Sequence, residues 1–375
     1  MKTILVVNNS SQISGAEFSL LELLDTLKNH YKIIIAIPEK GDFGQKLSSL
    51  NYQVEYFRML RFSRKSNGSN KLRYAVTLLA TSFKILCYAK KNNIDLLYLN
   101  SNQSAVYSIF IRVLTPIKTI WHVRDSLKNK MITKVLSLGV SQVICVSKYI
   151  YAQIPVKKEK KTLIYNGIDT DLWKPFRKTN GLLPATIEDE KTILIGNIGQ
   201  LIPWKNHMEL IKVVKLISSK SENVHFLFLG DDLFNQYPEY VNQLKLAVGD
   251  TNLTGYISFL GNRQNILSYI NQIDILVHCA TEEPFGRVVM EAMALQKPVV
   301  AYKSGGVAEL IVENKTGFLV EPYNYSDFAD KLELLLKNKP LRDKFGFEGR
   351  KRIQANFSAE IYTGKIQTLI KKQIA

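Results

Sequence analysis

The sequence predicts two α/β domains in tandem, each built on an open parallel sheet with helices on both faces. Three observations predict it. Short apolar runs rich in branched residues alternate with longer helical patterns, the series restarts after a polar stretch carrying two prolines, and the charge of the chain changes at the same place. With 375 residues and 46% hydrophobic content, the chain can fill two cores of ordinary size.

In the first half, ILVVN (4–8), KIIIAI (32–37), DLLYLN (95–100), KTIWHV (118–123) and QVICVS (142–147) are near-continuous apolar runs, the mark of strands buried on both faces. Between the first two, AEFSLLELLDTLKNH from Ala16 places apolar residues at 18, 20, 21, 23, 24 and 27, one face of a helix. The second series runs through TILIGNIG (192–199), VHFLFLG (224–230), ISFLG (257–261), DILVHCA (274–280) and PVVAY (298–302). KPFRKTNGLLPATIEDEK from Lys174 reads as the linker. The expected division is 1–178 for the first domain and 179–354 for the second, with a terminal helix over 355–375.

Residues 1–178 hold 28 Lys and Arg against 11 Asp and Glu, and residues 179–375 hold 22 of each, so the whole surplus of 17 positive charges lies in the first half. Such asymmetry points to an anionic partner for that half. No aromatic-basic recognition motif accompanies it, which argues against nucleic acid. Cys87, Cys145 and Cys279 show no paired spacing and no ligand cluster, so neither disulfides nor a zinc site is expected. The apolar run at the amino terminus is too short for a signal peptide, and YAVTLLATSFKILCYAKK from Tyr74 falls short of a spanning helix. A cytoplasmic protein, soluble or peripheral to a membrane, is the expectation.

In open parallel sheets, ligands bind beyond the carboxyl ends of the strands. Four such ends carry candidate chemistry. After the first strand, NNSSQISGAE is a Ser-rich loop in which Gly15 permits close backbone approach; it is either a phosphate cradle or a plain strand-helix connection. WHVRD (121–125) ends a strand with His122, Arg124 and Asp125, where an imidazole facing the ligand serves proton transfer or sugar binding, or is simply structural. GQLIPWKNHMELI sets Lys205 where a strand end becomes a helix start, a place for an ammonium to meet a diphosphate. TEEPFGRVVMEAMALQKPVVA (281–301) puts Glu283 just before a helix start whose Phe285, Gly286, Arg287 and Val288 N–H groups form an anion site, with Glu291 two turns on. Two carboxylates so placed bracket one ligand and accept its hydroxyl hydrogen bonds; they do not flank a single bond as a glycoside hydrolase requires.

These residues together resemble family 4 of the retaining glycosyltransferases, also called glycosyl transferases group 1. The resemblance covers nearly the whole chain. Its motifs here are EPFGRVVME (283–291), a spacing written E-x7-E, the block containing Gly305, Gly306 and Glu309, and YNGID (165–169). It implies the GT-B fold, two Rossmann-like domains with parallel sheets facing a central cleft, and a terminal helix that crosses back to the first domain. Glu283 then resembles the glutamate that holds the donor sugar, Glu291 the one that binds the ribose, Lys205 the diphosphate lysine, His122 the histidine near the donor sugar, and Gly15 the glycine approaching the diphosphate. Asn262 lies where the family contacts the nucleobase. One position departs: Gln200 stands where the family has arginine, with Arg287 or Arg124 as possible substitutes.

The resemblance implies a sugar transferred with retention from a UDP- or GDP-sugar to a glycan acceptor, lipid-linked, in cell-surface polysaccharide synthesis. No metal or other cofactor is expected. Acceptors of the family bind the first domain, where Arg124 and Asp125 are candidates. There 58–91 mixes basic and apolar residues suited to an anionic membrane, which places the protein at the inner face of the cell membrane. Two other classes stay open, a nucleotide-sugar binder without transfer and a GT-B sugar-nucleotide epimerase.

Overall fold

A computed structural model describes residues 1–60, 68–127, 129–179, 181–184, 187 and 191–374. The chain divides into two compact units, one formed by Met1–Gly167 with Ala359–Ala375, the other by Ile168–Ser358. The division falls within the YNGID turn and not at 178, because the stretch after it dresses the second unit. Arg350 donates to Thr170 O (3.0 Å) and Trp173 O (2.7 Å), Asn271 Nδ2 to Phe176 O (2.9 Å), and Lys178 pairs with Asp274 (3.0 Å).

The first unit holds β1 (Thr3–Val7), β2 (Lys32–Ile37), β3 (Gln53–Tyr56), β4 (Leu96–Leu99), β5 (Lys118–Val123), β6 (Gln142–Cys145) and β7 (Lys161–Leu163) in the order β3-β2-β1-β4-β5-β6-β7. The second holds β8 (Ile193–Ile198), β9 (Val224–Leu229), β10 (Ile257–Gly261), β11 (Ile275–His278), β12 (Val299–Tyr302) and β13 (Gly317–Val320) in the order β10-β9-β8-β11-β12-β13. Every pairing is parallel. Helices cover both faces, so Ile4, Leu5, Val6 and Val7 are all buried although their side chains alternate between faces. Each such side chain contributes about 1.5–3 kcal/mol of burial free energy.

Both units are doubly wound, and in each the strand order reverses once, between β1 and β4 and between β8 and β11. Crossovers leave the two strands of such a pair on opposite sides, and a crevice opens at their carboxyl ends. The strands absent from the expectation, β3, β7 and β13, are all edges; QVEY and KTL are short and only partly buried. Part of the basic segment 58–91 lies outside the described residues, and its remainder includes the helix Gly68–Lys91. Among the described residues no helix is long and apolar enough to cross a membrane.

The helix Ala359–Ile374 joins the first unit, with Tyr362, Ile366 and Ile370 in its core. At its start Tyr362 OH accepts from Arg124 Nη2 (3.1 Å), while the same guanidinium donates from Nε to Asn100 Oδ1 (2.8 Å) and from Nη1 to Asn166 Oδ1 (2.9 Å). Removing the phenol leaves a buried charged donor short of an acceptor. Tyr362→Phe is expected to destabilise the first unit by about 1–3 kcal/mol, read as a lower urea midpoint in its unfolding transition. Unchanged stability would mean that Arg124 finds another acceptor.

Candidate functional site

The crevice of the second unit is bounded by the loop after β8, Gly199 to Asn206, and the loop after β11, Cys279 to Gly286. Thr281 N donates to Trp204 O (3.1 Å), and Asn206 Nδ2 donates to Cys279 O (3.0 Å). Asn206 adopts φ +55° to open the helix His207–Ser218. These bonds set Lys205 facing Glu283, and Lys205 Nζ meets Glu283 Oε2 at 2.5 Å with both side chains largely buried, 15% and 12% exposed. The ammonium also lies 4.5 Å from the Trp204 ring centroid.

Glu283 is held from behind by the two glycines after β12. Gly306 N donates to Glu283 O (2.8 Å), and Gly305, at φ +56°, passes so close that a Cβ there would stand 2.1 Å from the same oxygen. Only glycine fits. Gly286, at φ +97°, then starts the helix Arg287–Ala294. The first N–H groups bonded within that helix are those of Val289 and Met290, both to Gly286 O, so the N–H groups of Gly286, Arg287 and Val288 precede its hydrogen-bond ladder. Phe285 is buried, its ring 6.1 Å from that of Phe357.

Glu291 does not stand open beside this helix start. Its carboxylate accepts from Arg287 Nε at 2.7 Å, one turn earlier, and both side chains are nearly buried. Glu283 and Glu291, expected to bracket one ligand, are thus each held in an ion pair of their own, because a buried carboxylate without a cation or donors would be costly. Gln200 is partly buried and its side chain has no hydrogen-bond partner among the described residues. Asn262 is exposed just past β10, at the same edge of the sheet.

In the first unit the predicted residues also gather at the carboxyl edge, but two are not accessible. His122 has no exposed surface: it lies on the sheet face that also carries Ile120, covered by the helix Ala359–Ile374, and its Nδ1 meets Tyr98 OH at 2.5 Å. Burial, and then the charge of Arg124, holds its pKa well below 6.5, so the ring is neutral. The expectation of an imidazole facing a ligand from an open strand end is therefore corrected. Arg124 is corrected likewise, because its guanidinium is buried and bonded to Asn100, Asn166 and Tyr362 and does not offer itself to an acceptor. Asp125 is exposed. Gly15 opens the helix Gly15–Leu27, and Glu17 already accepts from Ser14 N (3.0 Å) at that helix start.

Residues 183–352 match the family described as glycosyl transferases group 1. The match covers 170 of the 375 residues, all of them in the second unit. Among similar proteins, the capsular polysaccharide biosynthesis glycosyltransferase CapM of Staphylococcus aureus is 26% identical over 66% of this chain and 60% of its own length. The human alpha-1,3/1,6-mannosyltransferase ALG2 is 32% identical over 62% of this chain and 59% of its own. The chain thus spans about three-fifths of the length of these curated relatives. Anabaena Alr3699/HepE, solved in complex with UDP and glucose, superposes with a TM-score of 0.82 at 23% identity, covering 98% of this chain and 99% of that one. That likeness shows that the two sheets belong to the GT-B fold.

Two features escape sequence reasoning. His278, the last residue of β11, lies with Nε2 3.3 Å from Glu283 Oε2, although not aligned as a hydrogen bond; a lone polar residue within DILVHCA was the available signal. In the first unit, Arg124, Asn100, Asn8 and Glu17 form one buried relay: Asn100 Nδ2 donates to Asn8 Oδ1 (2.9 Å) and Asn8 Nδ2 to Glu17 Oε1 (3.1 Å). GDD (230–232) is loop structure, with Asp232 accepting from Tyr237 N. Among the described residues no group of three or more His, Cys, Asp or Glu side chains is placed to hold a metal ion.

Burial alone would raise the Glu283 pKa, but the Lys205 charge and the His278 contact outweigh it and bring it down to about 2, from an ordinary 4.5. A carboxylate depressed on folding contributes stability that is complete above its unfolded value and lost as pH falls through its folded one. The second unit of the wild type is therefore expected to lose denaturant stability between pH 4.5 and about 2 more steeply than Glu283→Gln does. Parallel profiles would contradict this placement of the charge.

Proposed function

We propose that this chain is a retaining glycosyltransferase that moves a sugar from a UDP- or GDP-sugar to a glycan acceptor, lipid-linked, in cell-surface polysaccharide assembly. The observation that carries the reading is the Lys205–Glu283 pair in the crevice between β8 and β11, beside the helix start at Gly286. In this reading the donor diphosphate lies against Lys205 and the N–H groups of residues 286–288, which neutralise the charge that grows as the sugar leaves. Glu283 accepts hydrogen bonds from the sugar hydroxyls, and Glu291, oriented by Arg287, accepts from the ribose. Asn262 offers the exposed loop edge to the base. The charge balance uses no metal. Asp125 serves the acceptor side, and His122 acts from within the core by fixing Tyr98.

The naming of CapM for capsular polysaccharide biosynthesis and the UDP and glucose in the Alr3699/HepE structure support the substrate class. A second reading, donor binding without efficient transfer, is favoured by Gln200, a neutral side chain at the mouth of this crevice.

One donor screen separates the two. Pure protein is incubated with UDP- and GDP-sugars and lipid-linked acceptors, and nucleotide release and glycosylated product are read by mass spectrometry, with the anomeric configuration of the product by NMR. Glu283→Gln is expected to lower kcat/KM by about 10²–10³, and Gln200→Arg to raise kcat about tenfold by adding a charge-assisted hydrogen bond to the leaving group. Tight donor binding with no transfer in either protein would establish the second reading, and an inverted product would exclude retention.

A further inference from the structure

The positive surplus of the first half meets an apolar surface on one helix. Lys130–Leu138 is turned inside out. Its inward side chains include Thr133 and Ser137, whose hydroxyls return to Asn129 O (2.8 Å) and Thr133 O (2.6 Å), while Met131, Ile132, Val135 and Leu138 stand 51–75% exposed. A helix packed for its own core would turn its long aliphatics inward. Lys130 and Lys134 are exposed on the same helix, and Val113 and Leu114, which follow Arg112, are exposed as well.

Lys134 and Leu138 also line a hollow of about 520 Å³. It sits where chain segments enter β5, β6 and β7, at the amino edge of the sheet and so at the opposite edge from the residues 122–125. Val140, Pro155 and Val156 form apolar walls, and Arg112, Lys157 and Lys160 supply cations, with Glu159 also present. Lys160 Nζ lies 3.3 Å from Leu138 O, and burial followed by the charge of Arg112 lowers its pKa. Arg112, Lys134, Lys157 and Lys160 have no ion-pair partner among the described residues. In the second unit, by contrast, exposed Lys212, Lys220, Lys337 and Lys339 each hold a carboxylate at 2.5–2.7 Å.

We propose that this face docks on an anionic phospholipid bilayer, the hollow taking a lipid phosphate and the helix Lys130–Leu138 lying in the plane of the interface with its aliphatic row among the acyl chains. Charge complementarity selects this occupant. A second copy of the chain would bring the same cations to the same place, and a nucleic acid would leave the aliphatic row in water. The inference goes beyond the proposed function: this face lies at the opposite sheet edge from Asp125, so the contact anchors the protein and does not itself present an acceptor. It adds a second face to the one expected at 58–91, where the helix Gly68–Lys91 buries Ile85, Leu86 and Ala89 but also exposes Leu72, Val76, Leu79 and Phe83 (52–69%).

Vesicle co-sedimentation of the full chain tests it, with phosphatidylcholine alone against phosphatidylcholine carrying roughly 30% phosphatidylglycerol. The wild type is expected to sediment with the anionic vesicles only, and less so as salt rises. Arg112→Ser with Lys160→Ser should weaken that partition about 25-fold, near fivefold for each cation. Met131→Ser with Val135→Ser should weaken it too and leave the remainder fully suppressed by salt. Equal binding to both vesicles, binding to neither, or unchanged partition in either variant would overturn the proposal. So would loss only in Leu79→Ser with Phe83→Ser, a dimer in solution dissociated by Val135→Ser, or RNA binding in place of vesicle binding. Transfer to a water-soluble acceptor should stay at the wild-type level in every variant. A wild type that binds vesicles but transfers nothing would sink the transferase reading alone, and one that transfers but ignores vesicles would sink only this inference.

Discussion

The second unit is organised around one contact, the ammonium of Lys205 against the carboxylate of Glu283. A buried ion pair is a poor source of stability, because desolvating two charges costs about as much as their attraction returns. Its presence at a topological reversal makes sense as a charge arrangement prepared before any ligand arrives. The surrounding backbone serves that arrangement: Asn206 in a left-handed turn, the Thr281–Trp204 bond, and Gly305 pressed against the carbonyl of Glu283. Each is a constraint on where two side chains point.

The first unit bridges its own reversal by different means. Arg124 and Glu17 are its buried charges there, and they do not touch. Two amides, Asn100 and Asn8, stand between them, each donating toward the carboxylate and accepting from the side of the guanidinium. Aligned amide dipoles carry the interaction through the buried interior, and every member has its partner, the condition under which a buried polar network rigidifies its surroundings. One fold thus presents two crevices with opposite characters: a direct ion pair at the edge of the second sheet, and a neutralised relay beneath the first.

Much of the architecture was legible because parallel strands buried on both faces read as continuous apolar runs, as KIIIAI and VHFLFL do. QVEY and KTL carried too little apolar character to be seen, since edge strands bury one side only. The candidate site was legible as positions and not as partnerships. Nothing in the order of residues shows that Lys205, 78 residues before Glu283, donates to its carboxylate, or that Arg287 holds Glu291. His122 and Arg124 show the converse. A polar residue near a strand end looks available until the helix that covers it is known, and that helix begins more than 230 residues later, with Arg124 and Tyr362 separated by 238. The domain boundary failed for a related reason: prolines and charge marked the stretch after 174 as a linker, while Asn271 and Asp274 bind its Phe176 and Lys178 to the second unit.

The insertion of one unit within the other has a temporal consequence. The chain enters the second unit at Ile168 and leaves it at Ser358, and these two residues are bridged side by side. During synthesis the whole of the second unit is made before Tyr362, the residue whose phenol accepts from Arg124 Nη2. The unit that begins the chain is therefore the last to be completed. Residues 359–374, made after the whole second unit, supply the helix that covers its Tyr98 and His122 face.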